Sequence, residues 1–224
     1  PGISSAASDV YKRQGFNRWL VPPASIAIHL CIGSVYAWSM FNPALIKVLG
    51  VVSSSGDDWT LSQVVWIFSV AIVSLGFAAA YAGKWLEEVG PRMVGFFAAC
   101  CWGGGFLIGA LGIYLQELGV HINISLPFIT SEEISLQIGL YLLYLGYGVL
   151  GGIGLGLGYV SPVSTLIRWF PDRRGMATGM AIMGFGGGAM IAKFTIDKLL
   201  ETFYKAPEYL GTSDAINLIT EGGR

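Results

Sequence analysis

An all-α integral membrane protein with five membrane-spanning helices is the fold class this sequence predicts, on three observations. The chain of 224 residues is 54% hydrophobic and only 12% charged, with a mean hydropathy of +0.63; a soluble domain carries about twice that charge fraction. Its apolar residues lie in long runs free of Asp, Glu, Lys and Arg, from Trp19 to Ile46, Trp59 to Gly83, Met93 to Gln116, Ile134 to Ile167 and Gly175 to Ala192. Runs of this length read as helices crossing a bilayer. Finally, the 32 glycines follow no G-X-Y period, which suits helices packed closely inside a membrane. A net charge of −1 offers nothing to nucleic acid. Cys31, Cys100 and Cys101 sit in apolar runs with no CxxC spacing, so neither a disulfide framework nor a zinc site is expected. No metal or cofactor is implied.

Residues 1–14 differ from the rest. Asp9-Val10-Tyr11-Lys12-Arg13-Gln14 resembles the conceptual translation of a transposon-end sequencing adapter, and the segment is read as an artefact or a disordered polar tail without function. The transmembrane region is expected over residues 15–204. Its first span runs from Val21-Pro22-Pro23 to about Phe41, because proline is tolerated in a first helical turn, and Asn42-Pro43 bends or ends it. Thr60-Leu61-Ser62-Gln63 opens the second span as a capping box. Gly90-Pro91 marks the turn to the third span, about Met93 to Gln116. A loop over 117–133 leads to the fourth, about Ile134 to Val160 and apolar on to Ile167. The fifth follows from Arg174 to about Leu200. Residues 205–224 are too polar to span and are expected to form an extracytoplasmic loop before a missing sixth helix.

Between the last two spans lies Arg168-Trp169-Phe170-Pro171-Asp172-Arg173-Arg174-Gly175, a short charged turn. Arg18, Lys84, Arg92, Arg168, Arg173 and Arg174 fall on one side of the membrane, while the loops on the other hold Lys47 against Asp57, Asp58, Glu117, Glu132 and Glu133. This bias places the N-terminus and the 168–175 turn in the cytoplasm; the membrane expected is a plasma (bacterial inner) membrane. The other cytoplasmic turn, Gly83 to Arg92, has the spacing G-x-x-x-[acid]-x-x-G-x-[base], carried by Gly83, Glu87, Gly90 and Arg92. Glycine permits the tight turn, and the acid and base can cross-link helix ends and release them.

That segment resembles the loop signature of the major facilitator superfamily of transporters, with Glu87 where the signature usually has Asp. The 168–175 octet sits where those proteins carry their second cytoplasmic turn, so Arg168, Asp172, Arg173, Arg174 and Gly175 join the loop motif. More narrowly, Val35-Tyr36-Ala37-Trp38, Asn42-Pro43, Thr60-Leu61-Ser62-Gln63-Val64, Val89-Gly90-Pro91-Arg92 and the octet are similar to the oxalate/formate antiporter family, in order, over roughly residues 16–203. The resemblance implies the first five helices of a twelve-helix fold and a secondary active transporter rather than an enzyme. Such a carrier would move a small organic anion, a mono- or dicarboxylate, by alternating access in a lipid bilayer, with antiport as one mode the resemblance implies. Its other half, absent from this sequence, would complete the site. Another facilitator, carrying a monocarboxylate with a proton, a sugar or a drug, is the alternative; a membrane sensor or an intramembrane enzyme is a remote one.

Depth selects the candidate substrate contacts. A helix rises about 1.5 Å per residue. Tyr159, nine residues before Arg168, is thus ~13 Å deep, and Phe185, twelve after Arg173, ~18 Å. Both fall near the midplane, where transporter sites lie. By the resemblance, Tyr36 and Tyr159 match tyrosines of the family's substrate cavity, and Phe185 stands where the oxalate carrier has another tyrosine. His29 shares a helix face with Gly33, Tyr36 and Met40 and is either a substrate or proton contact or a packed core histidine. Gln63 and Trp66 complete the set. Lys193 should reach the outer interface, with Asp197 at i+4 as a partner.

The glycines are read as packing stripes. Gly146-Tyr147-Gly148-Val149-Leu150-Gly151 matches a dinucleotide fingerprint, but in an uncharged apolar run it lacks the strand and the acid that motif needs. Gly148, Gly152 and Gly156, Gly154 and Gly158, Gly175 and Gly179, and Gly184 and Gly188 are each spaced by four, which lets helix backbones approach.

Overall fold

The structure, a computed structural model, describes residues 17–46, 59–118, 122–124, 134–203, 209–213 and 216–219. The tail at 1–14, Lys47, Asp57, Asp58, His121, Glu132, Glu133 and most of 205–224 lie outside them. Among the described residues five helices are long and apolar enough to cross a membrane: α1 (Arg18–Met40), α2 (Leu61–Val89), α3 (Pro91–Glu117), α4 (Ile138–Trp169) and α5 (Arg174–Phe203). Two short antiparallel ribbons, Ile122–Ile124 with Ile134–Leu136 and Tyr209–Ser213 with Ile216–Ile219, lie between or after the helices.

The local chemistry explains the helix ends. At the start of α2 the Gln63 amide N–H donates to Thr60 Oγ1 (3.3 Å), and the Thr60 N–H donates to Gln63 Oε1 (2.9 Å), the reciprocal capping box. Gly90, at φ 83°, ends α2 and starts α3 in a backbone conformation that a side chain would strain. Pro91 follows at the first helical position, where no N–H is missed. α1 changes from α-helix to 3-10 helix at Gly33–Met40. At that junction the Ser34 hydroxyl donates to the Cys31 carbonyl (2.7 Å), the kind of back-bond that bends helices. Asn42-Pro43 does not stop the chain outright: one helical turn, Asn42–Leu45, follows α1.

α4 is the centre of the bundle. Of its most apolar stretch 56% is buried, against 22% in α2, α3 and α5. Two glycine stripes on α4 meet two partners. A Cβ at Gly152 or at Gly156 would stand 2.6 Å from the Ala71 or Leu75 carbonyl of α2. On another face Gly139 and Gly146 abut Gly112 and Gly105 of α3, and Gly158 faces Ala98. The fingerprint-like glycines therefore serve helix contact. They lie in a π-helical stretch, Tyr144–Gly151, whose buried Tyr147 stacks on Trp38 (ring centroids 4.3 Å apart). The Tyr144 hydroxyl donates to the Gln63 carbonyl (2.6 Å).

α5 packs mainly on α1. Gly33 lies against the Phe185 carbonyl, and Gly188 against the Leu30 carbonyl, so tightly that neither position has room for a side chain. Gly175 and Gly179 correct the expected pattern: nothing among the described residues lies within 4 Å of a Cβ placed there. The expected Lys193–Asp197 pair also does not form. Lys193 is exposed, and the ion pairs of the described residues lie at the opposite end of α5.

Candidate functional site

Four of the six predicted substrate contacts meet where α1, α4 and α5 converge. The Phe185 ring is at the centre, 5.1 Å from Tyr36, 5.2 Å from Tyr159 and 6.2 Å from His29, all edge to face. His29 and Tyr159 are 5.6 Å apart. Edge-to-face stacking sets the electropositive rim of one ring against the electronegative face of the next. The backbone contact of Gly33 with α5 is what allows Tyr36 and Phe185 to touch. Burial grades across the cluster: His29 is 0% exposed, Phe185 8% and Tyr36 50%. One side is thus closed protein, and the other presents a phenol ring to whatever fills the space beyond it.

Gln63 and Trp66 do not join this cluster. Gln63 sits in the first turn of α2, its side-chain oxygen accepting from both the Thr60 N–H and the Thr60 hydroxyl. Trp66 is 61% exposed, its ring turned out from the bundle. The capping role of Gln63 was readable in the sequence and already accounted for its side-chain oxygen.

The loop-motif residues gather at one end of the bundle. Arg168 Nη2 donates to Glu87 Oε1 at 3.4 Å, linking the last turns of α4 and α2. Both side chains are largely exposed, which limits the pair to well under ~1 kcal/mol. Arg92 is exposed and forms no ion pair among the described residues. Gly83 does not form the expected turn: it lies within α2, only Gly90 making the turn, and among the described residues nothing comes within 4 Å of a Cβ at Gly83 or at Gly175 near the start of α5. Arg174 is exposed, and Arg173 approaches Asp172 at 4.0 Å.

Arg18 is the residue that sequence reasoning missed. Its guanidinium grips Asp172 with two bonds, 3.1 and 3.3 Å, and lies 5.0 Å over the buried Phe170 ring. Trp19 packs edge-on to the same ring at 5.3 Å. The start of α1 is thereby clamped to the α4–α5 turn. The sequence signal was only a shared charge side; the pairing spans 154 positions, beyond any local pattern.

Against known proteins, the Major Facilitator Superfamily model matches residues 28–196. The chain is 31% identical over 185 residues to the "Uncharacterized MFS-type transporter YhjX" of Escherichia coli (strain K12), covering 83% of this chain and 38% of that protein. It is 25% identical over 205 residues to "Apicoplast pyruvate carrier 1" of Toxoplasma gondii, covering 84% of this chain and 36% of the carrier. The "Oxalate:formate antiporter" of Oxalobacter formigenes is 27% identical over 176 residues, 78% of this chain and 34% of the antiporter. The chain thus spans a little over a third of the length of these relatives. With three-quarters of its residues matched by the family model and five helices of spanning length, the chain belongs to the major facilitator superfamily.

Proposed function

We propose that this chain is part of a secondary active carrier for a small organic anion, a mono- or dicarboxylate, working by alternating access. The observation that carries the reading is the His29–Tyr36–Tyr159–Phe185 cluster. Three helices bring these rings to one place, at the depth where a carrier's site is expected, and ring edges, phenol hydroxyls and an imidazole suit a small planar carboxylate. The names of two relatives, one for pyruvate and one for oxalate and formate, point to the same substrate class. The charged end is assigned to the cytoplasm of a bacterial inner membrane by its excess of arginine.

The test is counterflow of labelled pyruvate, formate or oxalate in proteoliposomes holding the full-length carrier. Tyr159→Ala should slow exchange about tenfold, equivalent to ~1.4 kcal/mol. Tyr141→Ala, on an exposed face of the same helix, should stay near wild type. Equal effects would remove Tyr159 from the site. For orientation, single cysteines at 84 and 173 should react with an impermeant maleimide only in inside-out vesicles; labelling on opposite sides would sink the topology.

A further inference from the structure

Contacts among the five helices are of two kinds. Within α2, α3 and α4, backbones touch through glycine: Gly152 and Gly156 rest on carbonyls of α2, and Gly154 on the Ala98 carbonyl of α3. The same holds between α1 and α5, with Gly33 on the Phe185 carbonyl and Gly188 on the Leu30 carbonyl. A backbone seated in such a notch leaves little room for either helix to slide past the other. Between these two groups the contact is made by side chains. Among the described residues no glycine sets a backbone of one group on a backbone of the other. Gly158 of α4 meets the Ile32 side chain of α1 at 3.4 Å, an ordinary van der Waals distance. Val35, Leu155 and Phe185 fill the same seam with Ile32. Side chains can absorb a small relative shift of packed helices, which is the basis of shear motion.

The seam is held differently at its two ends. At the charged end α4 runs into α5 through Pro171–Arg173, and Arg18 ties α1 to the same turn through Asp172. At the other end α1 reaches across with Trp38, whose indole N–H donates to the Val64 carbonyl (3.3 Å) and whose ring lies on Tyr147. Trp38 belongs to the 3-10 stretch of α1, and Tyr147 to the π-helical stretch of α4. Both windings depart from the α-helix, and such stretches inside a long helix often mark a hinge or a functional site. One end is thus fixed by the chain itself, and the other is built from the two most adaptable segments of the facing helices.

We propose that α1 and α5 move as one piece against α2, α3 and α4, pivoting on the 168–175 turn and parting toward Trp38. The seam runs through the ring cluster, with Tyr159 on one side and His29, Tyr36 and Phe185 on the other. The motion carries Tyr159 toward and away from its partners. An anion held between the two sides binds the closed seam better than the open one, and so closes it. The inference rests on the carrier reading above for the purpose of the motion. It differs from the rocking of a rigid half, in which these five helices keep one arrangement throughout.

The experiment uses the full-length carrier with its native cysteines replaced by alanine. Spin labels on Leu107→Cys of α3 and Met190→Cys of α5, both exposed positions far from the pivot, should give two distances by double electron–electron resonance in lipid nanodiscs. Labels on Phe77→Cys of α2 and Leu107→Cys, within one group, should give one. A single 107–190 distance as narrow as the 77–107 distance overturns the inference. In proteoliposomes, Ile32→Cys with Gly158→Cys bridges the seam. Leu30→Cys with Gly187→Cys joins α1 to α5, a Cβ at 187 falling 3.4 Å from Leu30 Cδ2. Oxidation should slow counterflow of labelled pyruvate, formate or oxalate by about tenfold or more in the first pair, reductant should restore it, and the second pair should exchange as before. Exchange that survives the first cross-link, or that is lost with both, overturns the inference. Absence of counterflow with all three anions before oxidation would sink the carboxylate reading, and the spin-label distances would still decide whether the seam moves.

Discussion

α4 and α5 flank the same turn and are both rich in glycine, yet they use it differently. Glycines along most of α4 touch another helix: Gly148, Gly152 and Gly156 lie on α2, and Gly139, Gly146 and Gly154 on α3. On α5 only the midsection is so used, with Gly184 and Gly188 against α1, while among the described residues nothing lies within 4 Å of a Cβ placed at Gly175, Gly179 or Gly186. The same four-residue spacing thus marks a contact in one helix and none in part of the other. Spacing identifies a face on which a backbone can approach; whether a partner is there depends on where the helix sits in the bundle. Among the described residues α4 has neighbours on several faces, and α5 has one main neighbour, α1.

The comparison can be broken by substitution. Gly156→Leu should have the largest effect, since its side chain would enter the Leu75 carbonyl and Ala78. A loss of about 1–3 kcal/mol is expected from overpacking, read as a weakened or lost monodisperse peak in fluorescence-detected gel filtration. Gly179→Ala on α5 should instead leave the melting temperature unchanged or raise it, by up to ~1 kcal/mol of helix propensity. If both variants collapse, the contrast between the helices is wrong. The smallest effect belongs to the turn that joins them. A double-mutant cycle of Arg18→Ala and Asp172→Ala should give a small favourable coupling that shrinks with added salt, as befits side chains 37% and 44% exposed. A coupling of zero at low salt would remove the clamp.

Much of the fold was legible because the membrane imposes a length and a polarity on each helix. The five spans, the Thr60–Gln63 cap and the Gly90-Pro91 turn all follow from rules that act within a few residues. The candidates His29, Tyr36, Tyr159 and Phe185 were legible singly, Tyr159 and Phe185 from depth counted from a charged turn, Tyr36 from the family resemblance and His29 from its helix face. What depth does not supply is azimuth. Trp66 points outward despite its place in an apolar span, and Gln63 was already occupied by Thr60. Nor does local sequence reveal that Tyr144–Gly151 winds as a π-helix, a change bound up with the approach of α3 at Gly105 and the stacking of Tyr147 between Trp38 and Trp102.

The Arg18–Asp172 clamp has a bearing on biogenesis. Its two halves are 154 residues apart in the chain, so at roughly 5–20 residues per second they are synthesised about 8–30 s apart. Throughout that interval the guanidinium of Arg18 has neither the Asp172 carboxylate nor, for nearly all of it, the Phe170 ring to rest on. The first helix must therefore enter the bilayer held by its apolar length and by interim neighbours. It acquires its final anchorage only after the fourth helix and the turn behind it have left the ribosome.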